Sequence, residues 1–285
     1  MRANWTLVLL PPMLFSFLLL GGTQFLFIRA GFYEDLGIGL MGNELVVSNY
    51  VTAFTDSFYL DALILNIKVS SIVVICGLLC AYPVAYVIAR MRSQQWAMIL
   101  LAAIVVSSFV TIVIKVLGLI IIFGSDGALN QTLLALGLID EPLQIVGNIY
   151  GVVVGLMHYV LGFMVLMLFS VIQTIPRSLE EAALIHGASS YRMFMRVVFP
   201  LSLPGVVTGA LIVFNLCMGA FVSAAMLGGG KVLTLPVVIE RTVVLDLEYA
   251  MGGTLSAILL VSVILINILS VWLLNRFRKA RLVIT

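Results

Sequence analysis

The sequence predicts an all-α polytopic membrane protein with six spanning helices and N-in/C-in topology, and three observations carry that prediction. Hydrophobic residues fill 62% of the 285 positions and charged residues 10%, with a mean hydropathy of +1.22. A water-soluble domain is about 45–50% apolar and about 25% charged, so soluble folds and disorder are both excluded. Apolar runs that reach the roughly 20 residues of a spanning helix occur at about 7–28, 66–89, 97–123, 147–175, 202–227 and 253–274. A transmembrane barrel would instead show short alternating segments. With the N-terminus inside, ten of the fifteen basic residues fall on the cytoplasmic side: Arg2, Arg90, Arg92, Arg177, Arg192, Arg196, Arg276, Arg278, Lys279 and Arg281. Arg29, Lys231 and Arg241 fall outside, and Lys68 and Lys115 lie within or at the edge of spans. The positive-inside bias therefore selects N-in/C-in.

The elements follow in order. The first run, MRANWTLVLLPPMLFSFLLLGG, has the basic start of a signal peptide but no small-x-small site before a polar chain. It is expected to remain as the first span. An outer segment, 29–61, holds Gly31, Gly37, Gly39 and NYVTAFTDSFYLDA, the composition of a short strand or helix lying on the bundle. The second span ends in AYPVAYVIAR, and the third is expected as one helix over 97–123. The outer piece GSDGALNQTLLALGLIDEPLQ (124–144) sets Leu residues between acidic ends, as an interfacial helix does. After the fifth span, LGGGKVLTLPVVIERTVVLDLEYAMGG (227–253) opens on a triple-Gly hinge able to fold back on the outer mouth. Pro11, Pro12, Pro83, Gly155, Gly162 and Gly209 sit inside spans, where neighbouring helices can satisfy freed backbone groups. The chain 1–285 reads as one transmembrane domain. Cys76, Cys80 and Cys217 lie in apolar runs without metal-ligand spacing and read as packed thiols. A net charge of +2 gives no reason to expect nucleic acid.

One long cytoplasmic loop, 176–200, separates the fourth and fifth spans. Ser178 stands three residues before Glu181, the spacing of a capping box. Gly187 permits a bend, Ser189 can start a second helix reaching Val198, and Pro200 and Pro204 are expected to interrupt and restart the chain. Two short amphipathic helices joined by an elbow result, apolar on one side and polar on the other. Such an element can meet another protein, or simply close the bundle.

Glu181-Ala182-Ala183, Gly187-Ala188-Ser189, Phe194, Val197-Val198 and Phe199-Pro200 resemble the EAA signature of ABC importer membrane subunits, with Phe199 where Leu is usual. The resemblance implies a six-helix type I importer transmembrane domain in a bacterial inner membrane. It also implies that the loop couples to a cytoplasmic ATPase through Glu180, Glu181, Ala182, Ala183, Gly187, Ala188, Ser189, Phe194, Val197 and Pro200. In that scheme Glu181 stabilises the loop, Ala182 and Ala183 permit close helix approach, Gly187 makes the turn, and 188–197 presses on the ATPase.

Residues of about 50–275 further resemble spermidine/putrescine-type importer subunits. The resemblance rests on SNYVTAFTDSFYLDALILNIKVS, AYPVAYVIAR, GLIDEPLQ, HYVLGFMVLMLFSVIQTI and LGGGKVLTLPVVIE. Two departures stand out: VVSSFVTIVIKVLG lacks the family's Pro-Trp pair and carries Lys115 where Arg is common, and Leu161-Gly162-Phe163 replaces Leu-Pro-Phe. The resemblance implies a polyamine or related small amine as cargo, although importers of thiamine, iron, sulfate, phosphonate, opines and amino acids share much of the pattern. It also implies a second, homologous but non-identical membrane subunit, two ATP-binding subunits and an extracytoplasmic substrate-binding protein. The chain has no phosphate-binding loop followed by Lys-Ser/Thr and no nucleophile–base set. ATP and Mg would therefore be held by the partner, and the chain itself would be no enzyme. Lys115, His158, Tyr159 and Asn215 are pathway or gate candidates, because polar groups inside spans are costly unless paired or functional; each also has a packing explanation. Asn66 and Lys68 sit near the outer boundary, where solvation is easy. A secondary carrier working without an ATPase is the competing function.

Overall fold

The computed structural model describes the backbone of residues 5–282 and the side chains of residues 9–272. Arg2 and the side chains of Arg276, Arg278, Lys279 and Arg281 lie outside the described residues. Among those described, six helices are long and apolar enough to cross a membrane: Leu9–Ala30, Ser57–Arg90, Ile112–Ala135, Ile149–Gln173, Ser190–Met218 and Tyr249–Trp272. The chain divides into two compact units, residues 1–65 with 234–285, and residues 66–233.

In the first unit, α1 (Trp5–Ala30) leads into an antiparallel hairpin of β1 (Tyr33–Gly37) and β2 (Leu40–Leu45), then α2 (Ser48–Thr55) and the start of α3 (Ser57–Arg90). The last carbonyls of a helix have no intrahelical donor, and side chains from elsewhere supply them here. The Tyr50 hydroxyl donates to the Ile28 carbonyl at 3.3 Å, and Asn49 Nδ2 donates to the carbonyls of Gly31 (3.0 Å) and Tyr33 (2.8 Å). Thr254, on the long helix beginning at Tyr249, donates to Gly31 at 3.2 Å. A Cβ on residue 31 would come within 2.7 Å of that Thr254 oxygen, which is why glycine stands there.

The second unit holds the remainder of α3 and α4 (Gln94–Phe109), α5 (Ile112–Phe123), α6 (Ala128–Ala135), α7 (Ile149–Gln173), α8 (Arg177–Ile185), α9 (Ser190–Met193), α10 (Phe199–Met218) and α11 (Val222–Leu227). The first unit resumes with α12 (Leu235–Glu240) and α13 (Tyr249–Leu282). Helix α7 is the hub of the second unit and packs on α4, α5, α10 and α11. Its buried residues Val152, Leu156, Val160, Met164, Leu168 and Ile172 recur every four positions, one continuous ridge along the helix. Between membrane helices van der Waals fit replaces the hydrophobic drive, so small residues set the approach. A Cβ on Gly205 of α10 would overlap Val171, and one on Gly155 would overlap Leu227 of α11.

Several expectations need correction. The run 97–123 is two helices, because Val110 and Thr111 take extended ψ of 132° and 142° between α4 and α5; both are β-branched and lose helix preference. The run 202–227 likewise divides after Met218. Ser178 lies inside the first turn of α8 rather than capping it, with Pro176 at the capping position. Pro200 and Pro204 do not interrupt the chain either. From Ser190 to Met218 it stays helical, through a π-helical turn at Phe194–Val198 in which the Phe199 N–H reaches the Phe194 carbonyl. The wider turn absorbs the hydrogen bond that Pro200 cannot make. Asn66 is not solvated: it is 2% exposed and donates to the Met218 carbonyl at 3.0 Å, where α10 ends. Asn130 is fully buried and staples the 124–143 segment by bonding Gly124 and Leu143.

In the first unit, burial and the neighbouring Asp35 and Asp246 push the Glu248 carboxyl above its usual value. The folded chain therefore holds this proton more tightly than the unfolded chain. The charged group lowers stability above the unfolded pKa, and the penalty fades as pH falls. Glu248→Gln is expected to raise the thermal midpoint of the purified protein near about pH 8, with the gain vanishing near about pH 4. A gain independent of pH would contradict this electrostatic origin.

Candidate functional site

At the end of α3, Tyr82, Tyr86 and Arg90 stand four residues apart and so share one face. Pro176 and Arg177 bring the first turn of α8 beside that face, and Glu180 projects onto it. The Glu180 carboxylate, 8% exposed, accepts from Arg90 Nε at 2.7 Å and lies 2.6 Å from Arg90 Nη2. Its other oxygen accepts from the Tyr86 hydroxyl at 3.0 Å. Arg90 Nη2 also donates to the Ile175 carbonyl at 3.0 Å. Each charge suits its own helix, because Arg90 lies in the last turn of α3 and Glu180 in the first turn of α8. Arg177 adds bonds from Nη2 to the carbonyls of Ala89 and Met91, both 3.3 Å.

An apolar cluster lies under this ion pair. Ile175, Met193 and Val198 are buried, with Tyr86, Ala183, Ala188 and Phe194 packed against them. The Phe194 ring stands edge-on to Tyr82 and Tyr86, each 5.4 Å between centroids. Ser202 donates to the Phe199 carbonyl at 3.0 Å, leaving its oxygen to accept from the Tyr82 hydroxyl at 2.6 Å.

The elbow is a complete Schellman motif. The Ala188 N–H returns to Ala183 and the Gly187 N–H to Leu184, both 3.0 Å, with Gly187 at φ 83°. Ser189 then caps α9 by accepting from the Arg192 N–H. Glu181, Ala182, Gly187 and Ser189 are exposed, Val197 and Pro200 half-buried, and nothing lies near where a Gly187 Cβ would be. The loop thus keeps Glu180, Ala183, Ala188 and Phe194 for the bundle and turns the elbow outward. It is Glu180, not Glu181, that ties it down. Tyr82, Tyr86, Arg90 and Arg177 were not singled out from the sequence, although the four-residue spacing of polar groups in AYPVAYVIAR was a visible sign.

The pathway candidates are less concentrated. Lys115 is buried on α5 at 9% exposure, and His158 is exposed on α7, the helix on which α5 packs. The Tyr159 ring stacks edge-on with Phe163 at 6.2 Å. Asn215 is half-buried on α10. A Cβ on Gly162 would overlap the Ser108 hydroxyl of α4. Among the described residues no group of three or more His, Cys, Asp or Glu is placed to hold a metal.

Residues 74–282 match the family described as binding-protein-dependent transport system inner membrane component. The chain is 32% identical over 236 residues to the spermidine/putrescine transport system permease protein PotB of Escherichia coli K12, covering 83% of each. To PotB of Haemophilus influenzae it is 29% identical over 231 residues, 81% of this chain and 80% of that protein. To the sn-glycerol-3-phosphate transport system permease protein UgpA of Escherichia coli O6:K15:H31 it is 31% identical over 242 residues, 81% and 80%. Its fold is similar to that of a chain of a bacterial ABC transporter involved in the import of alginate, with a TM-score of 0.75, 18% identity and coverage of 94% and 96%.

Removing one partner of a buried ion pair strands the other charge. With side chains 13% and 10% exposed, Arg90→Ala is expected to cost about 2–3 kcal/mol, read as a lower thermal midpoint and faster proteolysis within 176–200. Glu181→Gln, at an exposed position, is expected to stay within about 0.5 kcal/mol of the unmodified protein. Equal losses from the two substitutions would contradict the assignment to Glu180.

Proposed function

The chain belongs to the family of binding-protein-dependent transport system inner membrane components, and from that premise we propose that energy enters this importer through the 176–200 loop and reaches the pathway through α10. As a family member the chain is a multi-pass, inner-membrane, non-catalytic permease component of an ABC import system. Our reading of its organisation is one transmembrane domain, 1–285, with N-in/C-in topology. Its partners in this reading are a homologous but non-identical membrane subunit, two cytoplasmic ATPase subunits that hold ATP and Mg, and an extracytoplasmic substrate-binding protein.

One observation carries the coupling reading: the chain is helical without a break from Ser190 to Met218. An ATPase pressing on the exposed elbow around Gly187 would push α9, and through the π-helical turn that displacement would pass directly to α10. The Glu180–Arg90 pair and the Tyr82–Ser202 bond tie the same elements to α3. The 176–200 loop, α3 and α10 would then respond together, which is what switching helix packing between outward and inward openings requires. In this scheme Ala182, Gly187 and Ser189 meet the ATPase, while Glu180, Ala183, Ala188, Phe194, Val197 and Pro200 transmit.

For cargo we favour a polyamine or related small amine, supported by the likeness to the two spermidine/putrescine permeases. A second reading, a phosphate- or phosphonate-bearing solute, is favoured by the buried Lys115, whose helix α5 packs on the α7 that carries His158, a poor lining for a cation. The likeness to the glycerol-3-phosphate permease points the same way. Titration of the cognate extracytoplasmic subunit with spermidine and with sn-glycerol-3-phosphate separates the two. Tight binding of the phosphate ester alone would overturn the amine reading.

Residue 187 offers the test of coupling. Asn tolerates a left-handed φ, whereas Glu adds bulk, charge and about 1 kcal/mol or more of backbone strain. In the reconstituted complex Gly187→Asn is expected to keep transport. Gly187→Glu is expected to insert and leave ATP hydrolysis running while transport falls at least about ten-fold, the effect of losing about 1.4 kcal/mol of docking. Unchanged transport in Gly187→Glu would remove the loop from the coupling route.

A further inference from the structure

The second unit contains a cavity of about 450 Å³ where α3 ends, α4 begins and α7 meets α8. Arg92 and Arg177 are among the residues that line it, and no acidic side chain does. Glu180 does not neutralise them, because its carboxylate is engaged by Arg90 and Tyr86. Arg177 is held on the wall by its bonds to the carbonyls of Ala89 and Met91. From Gln94 the cavity follows α4 past Met98 to Leu101, with Phe169 of α7 opposite. Seven residues of helix are about 10 Å, so the pocket grades from two cations into an apolar slot.

Its level in the bilayer can be read from α4. Trp96, 63% exposed, sits in the first turn of this uninterrupted apolar helix. An exposed Trp and a nearby Arg at the start of an apolar helix are the pattern of the headgroup layer. A ligand for this pocket must therefore offer an anion at headgroup depth and a hydrocarbon tail directly below it. Cytoplasmic solutes lack the tail, and a zwitterionic lipid offers no net charge to the two guanidinium groups.

We propose that this cavity is a binding site for an anionic phospholipid, its phosphate between Arg92 and Arg177 and an acyl chain along Met98, Leu101 and Phe169. The lipid would fill the groove between α4 and α7 beside the base of α8, and so link membrane composition to the anchorage of the loop. The inference is independent of the cargo and of the coupling role of Gly187.

The test uses the assembled complex, equilibrated in mixed micelles of equal phosphatidylglycerol and phosphatidylcholine. Retained lipid is quantified by mass spectrometry. Phosphatidylglycerol is expected to be retained in preference, and to fall about five-fold in Arg92→Gln, the factor one basic residue at an anionic surface contributes. Leu101→Trp, which plugs the slot without touching the charges, is expected to abolish retention, and Arg196→Gln, outside the cavity, to preserve it. Millimolar inorganic phosphate should not displace the lipid. Equal retention of the two lipids, or no change in Arg92→Gln and Leu101→Trp, would overturn the proposal. Displacement by phosphate would overturn it too, showing a plain anion site instead.

Discussion

A carboxylate with nine-tenths of its surface withdrawn from water is tolerable only where its charge and lone pairs are met. Glu180 meets that condition through Arg90 and Tyr86, residues from an element ninety positions earlier in the chain. The pair holds α8 against α3, because separating the two groups while they stay buried leaves each charge without its partner. Once α8 is fixed, Ile175, Met193, Val198 and Phe194 close over one cluster and the Gly187 elbow can only point away from the bundle. The exposed face of the loop, which family membership makes the natural place for a partner, follows from a buried ion pair beneath it.

Within the bundle a different constraint governs. Lipid tails are as apolar as leucine, so helices are not driven together by hydrophobicity and close fit decides which faces meet. Helix α7 answers with a ridge repeating every four residues and with Gly155 and Gly162 placed where neighbours come closest. Gly162 faces Ser108 at one such contact between α4 and α7. Where helices end inside the bundle, polar side chains take over the backbone's unmet bonds. Asn66 does so for Met218 and Asn130 for its own loop, because unsatisfied carbonyls are expensive away from water.

Hydropathy in the sequence was enough to reveal a membrane protein with six long apolar helices, since it reports on the solvent rather than on neighbours; the small β1–β2 hairpin departs from the all-α expectation. The loop motif and its left-handed glycine were legible too, because a Schellman turn is built from residues adjacent in the chain. Glu180 and Glu181 could not be ranked that way: they differ by one position and about 100° of helix rotation, and only the location of Arg90 distinguishes them. The helix breaks at Val110 and after Met218 were hidden because apolar composition continues across them. Pro200 misled in the opposite sense, a nominal breaker accommodated by a π-helical turn.

The sequence by itself thus determined the medium, the number of long apolar helices and the local chemistry of the 176–200 loop, all properties of short stretches of chain. Tertiary structure alone decided which apolar face of each helix is core, which carboxylate is buried, and where Arg92 and Arg177 leave a charged pocket over a greasy slot. The physical reason is that a helix apolar all round carries no periodic signal of its inner face. In such a chain the decisive information resides in contacts between residues far apart in sequence.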